Sequence, residues 1–163
     1  MDMKNITAFS DFPDQSRVWL YQTNRQLTEE EISTVRRHLN SFVQGWAAHG
    51  DKLWGAAEVV NPYFLAVIVN DALTPPSGCS IDASVKEIKA LGELLSVDFF
   101  TRMKVTLVKN NVLTQIDFSD LDQLEPDTPI FDPLLSNLGE LRQQFPVELE
   151  KSSFAHLVSS LLG

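Results

Sequence analysis

The stretch Tyr63-Phe64-Leu65-Ala66-Val67-Ile68-Val69 is apolar at every position. Side chains of a strand alternate between faces, so Tyr63, Leu65, Val67 and Val69 point one way and Phe64, Ala66 and Ile68 the other. Both faces then need cover, which excludes a sheet with one wet side and calls for a central strand in a layered domain. Arg17-Val18-Trp19-Leu20-Tyr21-Gln22 reads the same way, with Val18 and Leu20 on one face and Trp19 and Tyr21 on the other.

A helix separates these strands. Thr28-Glu29-Glu30-Glu31 supplies a capping hydroxyl and a Glu three residues on, and its acidic first turn complements the helix dipole. Ile32, Val35, Leu39, Phe42, Val43 and Trp46 follow at helical spacing, and His49-Gly50 is expected to close the helix. Leu53 to Val60 is expected to pair with the 63–70 run across Asn61-Pro62. Pro75-Pro76 enforces an extended loop. A second helix is expected from about Ile81 to Leu95, capped by Ser80 or Asp82, with Val85, Ile88, Leu91, Leu94 and Leu95 inward. Lys104–Lys109 and Val112–Phe118 alternate as a hairpin about Asn110-Asn111, residues that tolerate the positive φ of a tight turn.

The order β-α-β-β-α-β-β predicts an α+β domain. Its first six elements match the βαββαβ of a ferredoxin-like sandwich, with one extra strand. In that layout two helices cover one sheet face, and the other must be covered by residues 119–163 or by a second subunit. We read 1–163 as a single domain, with a body at 1–118 and an acidic C-terminal loop and helix extension at 119–163 packed on it. Short helices are expected near Ser119–Leu124 and Pro133–Phe145, and an amphipathic one carrying Phe154, Leu157, Val158, Leu161 and Leu162. Residues 1–16 read as an irregular lead pinned by Phe9 and Phe12.

The net charge of −9 is unevenly placed: from Asp117 onward nine carboxylates face only Arg142 and Lys151. This disfavours nucleic acid and anionic membrane surfaces, whose phosphates need local Lys or Arg. No apolar run approaches the ~20 residues of a membrane span. The start Met1-Asp2-Met3-Lys4-Asn5 lacks the pattern of a signal peptide. With one cysteine there is neither an internal disulfide nor a cysteine-rich zinc site, and a reducing cytoplasm is the expected address.

That cysteine stands in Ser77-Gly78-Cys79-Ser80-Ile81-Asp82, between an expected strand and helix. A helix start offers unpaired N–H groups and partial positive charge, which can hold an anion or activate a thiol. Cys79 is therefore a candidate nucleophile with His49 as its base, and Ser77, Gly78, Ser80, Asp82 and Arg102 are candidate ligand-binding residues. The competing reading is a buried structural thiol beside an ordinary cap, with Arg102 paired to Asp98 or Asp82. Val85 occupies the position where a cysteine phosphatase carries its Arg, and no second Cys completes a redox motif. No phosphate-binding Gly-x-x-x-x-Gly-Lys loop and no dinucleotide fingerprint occurs. His38, His49 and His156 lack metal-ligand spacing, so neither metal nor cofactor is expected. A spatial cluster of His49, Asp71 and Asp82 is the one alternative.

Ser16–Gln22, Trp46-Ala47-Ala48-His49-Gly50, Ser77–Val85, Asp98, Arg102-Met103, Pro146-Val147 and Ser153-Phe154-Ala155-His156 together resemble an uncharacterised family of bacterial proteins of about this length. The family is common among Bacteroidetes-type bacteria, and its members often carry the label of an ABC transporter ATPase. The resemblance covers most of the chain and is most specific in the Ser-Gly-Cys-Ser-Ile-Asp block. It implies no catalytic residues that carry over, and this chain holds no Walker residues for the ATPase label to rest on. Thr101 stands where similar sequences often have an acid.

The expectation is thus a domain that binds a small ligand or a protein partner near Cys79. One alternative is a cysteine-dependent enzyme. The other is an interaction module that forms a homodimer through its apolar sheet face.

Overall fold

The computed structural model describes residues 3–158. Strand β1 (Arg17–Gln22) leads into helix α1 (Glu29–Gln44), a small hairpin of β2 (Ala47–Ala48) and β3 (Asp51–Lys52), and a longer hairpin of β4 (Gly55–Asn61) and β5 (Phe64–Val69). Helix α2 (Gly78–Leu95), the hairpin of β6 (Lys104–Lys109) and β7 (Val112–Asp117), β8 (Pro129–Ile130), α3 (Leu138–Gln143) and β9 (Val147–Glu148) follow. Helices and antiparallel sheets mix in an α+β architecture, and no helix among the described residues is long and apolar enough to cross a membrane.

Strand β5 is the centre. It pairs antiparallel with β1 on one side and β4 on the other, and all six of its residues are buried. Leu65, Val67 and Val69 pack against Ile32, Val35 and Leu39 of α1 and Ile88 and Leu91 of α2. Phe64, Ala66 and Ile68 on the other face meet Phe9 from the N-terminal lead and Phe131, Leu138, Leu141 and Phe145 from the C-terminal segment. Phe64, Phe131 and Phe145 form a mutually packed trio, with ring centroids 4.8–6.3 Å apart. The chain itself therefore covers the face that the dimer expectation had left open. Burying each such side chain contributes about 1.5–3 kcal/mol.

The sheet order β1-β5-β4 is that of the first three strands of a ferredoxin-like sandwich, but the expected fourth strand departs. Strand β6 pairs with β7 and β8 in a second sheet of order β7-β6-β8-β9. One end of the outer edge of β1 is taken by the C-terminal segment, where the Val18 N–H donates to the Ser136 carbonyl at 2.9 Å and Arg17 bridges Asn137. At the other end, side chains replace a ladder. Thr106 Oγ1 donates to Gln22 Oε1 at 2.9 Å, Gln22 Nε2 donates to the Lys104 carbonyl at 3.1 Å, and Gln115 Nε2 reaches the Thr23 carbonyl at 2.8 Å. Both the β6–β7 turn residues, Asn110 and Asn111, have positive φ, as a two-residue hairpin requires.

Three boundaries differ from expectation. Helix α1 ends at Gln44, and His49 (φ 53°) and Gly50 (φ 85°) instead form the left-handed tip of the β2–β3 hairpin. Helix α2 begins at Gly78 with Ser77 as cap, because Ser80 serves as the reciprocal third-position partner rather than as the cap itself. Leu94 faces solvent, and Ser84 takes the inward position its spacing requires. Of the expected last helix, the described residues hold a short turn at Ala155–Leu157; Leu161 and Leu162 lie outside them.

At the start of α1, Thr28 and Glu31 exchange backbone–side-chain bonds at 2.9 and 3.1 Å, and Arg25 grips the same carboxylate at 2.7 and 2.8 Å. Arg25 also donates to the Leu95 carbonyl at 3.0 Å, joining the start of α1 to the end of α2. The Arg25 bonds, helped by the Thr28 amide, hold the Glu31 carboxyl at about 2, well below its ordinary 4.5. Its contribution is therefore complete above pH 4.5 and is lost as pH falls toward 2. Denaturant unfolding of Glu31→Gln across pH should show a deficit of about 1–2 kcal/mol at neutral pH that shrinks through this acid window. A deficit independent of pH would contradict the assignment.

Leu138 is fully buried in the second layer. Leu138→Ala should lower unfolding stability by about 2–5 kcal/mol, and deletion of residues 119–163 should abolish cooperative unfolding. A truncated chain with an intact sharp transition would show that β5 needs no second cover.

Candidate functional site

The first turn of α2 is a closed capping system. Ser77 Oγ accepts from the Ser80 N–H at 3.1 Å, Ser80 Oγ accepts from the Ser77 N–H at 2.8 Å, and the Ser80 hydroxyl donates to the Ser77 carbonyl at 2.8 Å. The buried Trp46 indole donates to the Ser80 carbonyl at 2.8 Å, anchoring the turn to the segment after α1. Ser77 and Ser80 are thus occupied by the helix itself. Gly78, Cys79 and Asp82 are exposed. Cys79 is exposed on the helix turn rather than sealed among aliphatic side chains. His49 is exposed at the hairpin tip, and no hydrogen bond joins it to Cys79 among the described residues. Nor do three His, Cys, Asp or Glu side chains converge there as a metal site, so the His49, Asp71 and Asp82 cluster does not form.

Arg102 is elsewhere. It belongs to a cleft of about 760 Å³ that runs along the outer edge of β1. Val85, Phe99 and Phe100 line it on the α2 side, and Phe118, Leu134 and Phe154 on the side of the C-terminal segment. Tyr21 packs edge-on against Phe100 with centroids 5.4 Å apart, and burial raises the pKa of its hydroxyl.

Three cations reach this apolar cleft, and no carboxylate lines it among the described residues. Lys104 is neutralised by Asp117 at 2.6 Å. The Arg17 guanidinium lies 4.7 Å from the Trp19 ring centroid, a cation–π contact that leaves its donors available. Arg102 is exposed and makes no ion pair among the described residues; the expected partner Asp98 instead accepts the Phe100 N–H at 2.8 Å. An apolar trough with cations at its rim suits a ligand with an apolar body and an anionic group.

Backbone groups also open into the cleft. In the β1–β5 ladder Thr23 donates to the Tyr63 carbonyl at 2.8 Å, so Tyr21 and Trp19, two and four residues back, face β5 in the same way. Val18, Leu20 and Gln22 therefore direct their N–H and C=O groups outward. Val18 is satisfied by Ser136, whereas neither Leu20 nor Gln22 has a backbone partner on that side among the described residues.

Of the residues singled out from the sequence, the structure gathers Ser77, Gly78, Cys79, Ser80 and Asp82 in one helical turn and leaves His49 and Arg102 apart from it. The cleft escaped sequence reading because its walls come from residues near 17–22, 85, 99–104, 118, 133–136 and 154. One local signal existed: Arg17, Trp19 and Tyr21 share a strand face. No family model, curated protein or solved structure matches the chain.

With Cys79 exposed, Ellman's reagent should titrate one thiol per chain in the folded protein without denaturant, and Cys79→Ser should change stability by no more than about 0.5 kcal/mol. A thiol that reacts only on unfolding would contradict this placement.

Proposed function

We propose that this protein is a binding protein whose ligand occupies the cleft along β1 and combines an apolar body with an anionic group. The carrying observation is the charge of the lining. In a chain of net −9, the cleft collects Arg17, Arg102 and Lys104 and no carboxylate among the described residues. Its volume of about 760 Å³ falls within the usual range for small-molecule and cofactor sites. Aromatic walls supply apolar contact, and Arg102 supplies a guanidinium that can hold an anion with two parallel bonds. Cys79 lies outside this cleft and takes no part in the reading. Kinship with the bacterial family resembled at the level of sequence is part of the proposal, and the ATPase label is not.

The test is titration with 8-anilinonaphthalene-1-sulfonate, an apolar anion that fluoresces when desolvated, with near-ultraviolet circular dichroism as the control for an intact fold. Saturable binding is expected, weakened about tenfold, or about 1.4 kcal/mol, by Arg102→Glu and reduced by added salt. No binding, or binding indifferent to Arg102→Glu and Arg17→Glu, would overturn the reading.

A further inference from the structure

We infer that the occupant of the cleft is an extended peptide segment of a partner protein, apolar at its centre and carrying a carboxylate, which adds to the outer edge of β1 as a short antiparallel or parallel strand. The inference rests on the cleft being the ligand site and goes further by naming the kind of partner.

Backbone groups at this edge suit an extended chain. Leu20 and Gln22 present N–H and C=O groups to the cleft without a backbone partner there. An edge strand in this state is a template for another chain, and proteins ordinarily blunt such edges. At the other edge of this sheet, Asn5 donates to the Val60 carbonyl of β4 at 2.7 Å and the Glu58 carboxylate accepts the Val59 N–H at 2.9 Å. The outer edge of β1 is closed at its start by Ser136 and Asn137 and bounded at its end by the Gln22–Lys104 bond. What remains open accepts about three residues of extended chain, pairing through Leu20 and Gln22, in the manner of β-strand addition.

The side chains of the cleft suit the same occupant. Successive residues of an added strand face opposite walls. One wall offers Tyr21, Phe99 and Phe100, the other Leu134, Phe118 and Phe154. Both favour apolar residues at the centre of the segment. Arg17 and Arg102, with no carboxylate lining the cleft among the described residues, complement an Asp, a Glu or a terminal carboxylate beside them. A compact apolar anion would use the walls and the arginines but would leave the unpartnered Leu20 and Gln22 backbone groups unused.

The test is selection of a phage-displayed random dodecapeptide library on the full-length protein, followed by binding measurements with the synthetic peptides obtained. Selected sequences are expected to hold Asp or Glu beside apolar residues and to displace 8-anilinonaphthalene-1-sulfonate. Methylating one central peptide nitrogen should weaken binding about tenfold or more, the loss of a backbone hydrogen bond. Saturating peptide should slow hydrogen exchange at the Leu20 and Gln22 amides at least about tenfold, equivalent to about 1.4 kcal/mol of added protection. Selected peptides that tolerate methylation at every nitrogen and leave those two amides unprotected would overturn the inference. So would a failed selection with the sulfonate still bound in an Arg102-dependent way, which would leave a small apolar anion as the ligand. Failure of both probes would remove the cleft as a site altogether.

Discussion

Burial of β5 on both faces governs this molecule. A strand with six buried residues satisfies its backbone through β1 and β4, but its side chains need a layer on each side. Helices α1 and α2 provide one layer from the elements that flank the β4–β5 hairpin in sequence. The second comes from much later in the chain, through Phe131, Leu138, Leu141 and Phe145, with Phe9 from the lead. The acidic C-terminal segment is thereby structural. Its carboxylates alternate in sequence with the apolar residues that close the core, and Arg142, one of its two cations, ties it back to the lead by pairing with Asp14 at 2.6 Å and donating to the Phe9 and Phe12 carbonyls at 3.1 and 3.0 Å.

That second cover also shapes the cleft. Ser136 and Asn137 reach the edge of β1 at Arg17 and Val18, the place where a fourth ferredoxin-like strand would end. Strand β6 joins β7 and β8 instead, and the buried contact among Gln22, Thr106 and Gln115 fixes the gap between the two sheets. Polar side chains there satisfy one another, which makes that contact specific in direction as well as close. The space left between is neither filled by aliphatic side chains nor flooded with acidic ones. It keeps two arginines and a row of aromatic edges.

The start of α2 teaches a different lesson. Its Ser-Gly-Cys-Ser sequence has the composition of an anion or thiol site, yet the two serines cap each other and Trp46 holds the turn from outside. The cap occupies both serine hydroxyls, and Cys79 is exposed on the same turn.

Much of the local structure was legible in the residues alone. The period of β1 and β5, the Thr28–Glu31 capping box, the Asn110-Asn111 turn and the need for two covering layers all follow from interactions a few residues apart or from the alternation of a strand. Two local readings failed where competing short-range chemistry won: His49-Gly50 suits a hairpin tip as well as a helix end, and Ser77 rather than Ser80 takes the cap. The partner of β6, the cover of Phe64 and Ile68, and the cleft with Arg17 and Arg102 were decided only by the tertiary structure. Each depends on which distant segments meet, and a single sequence records the hydrophobic demand of a surface without recording which part of the chain will satisfy it.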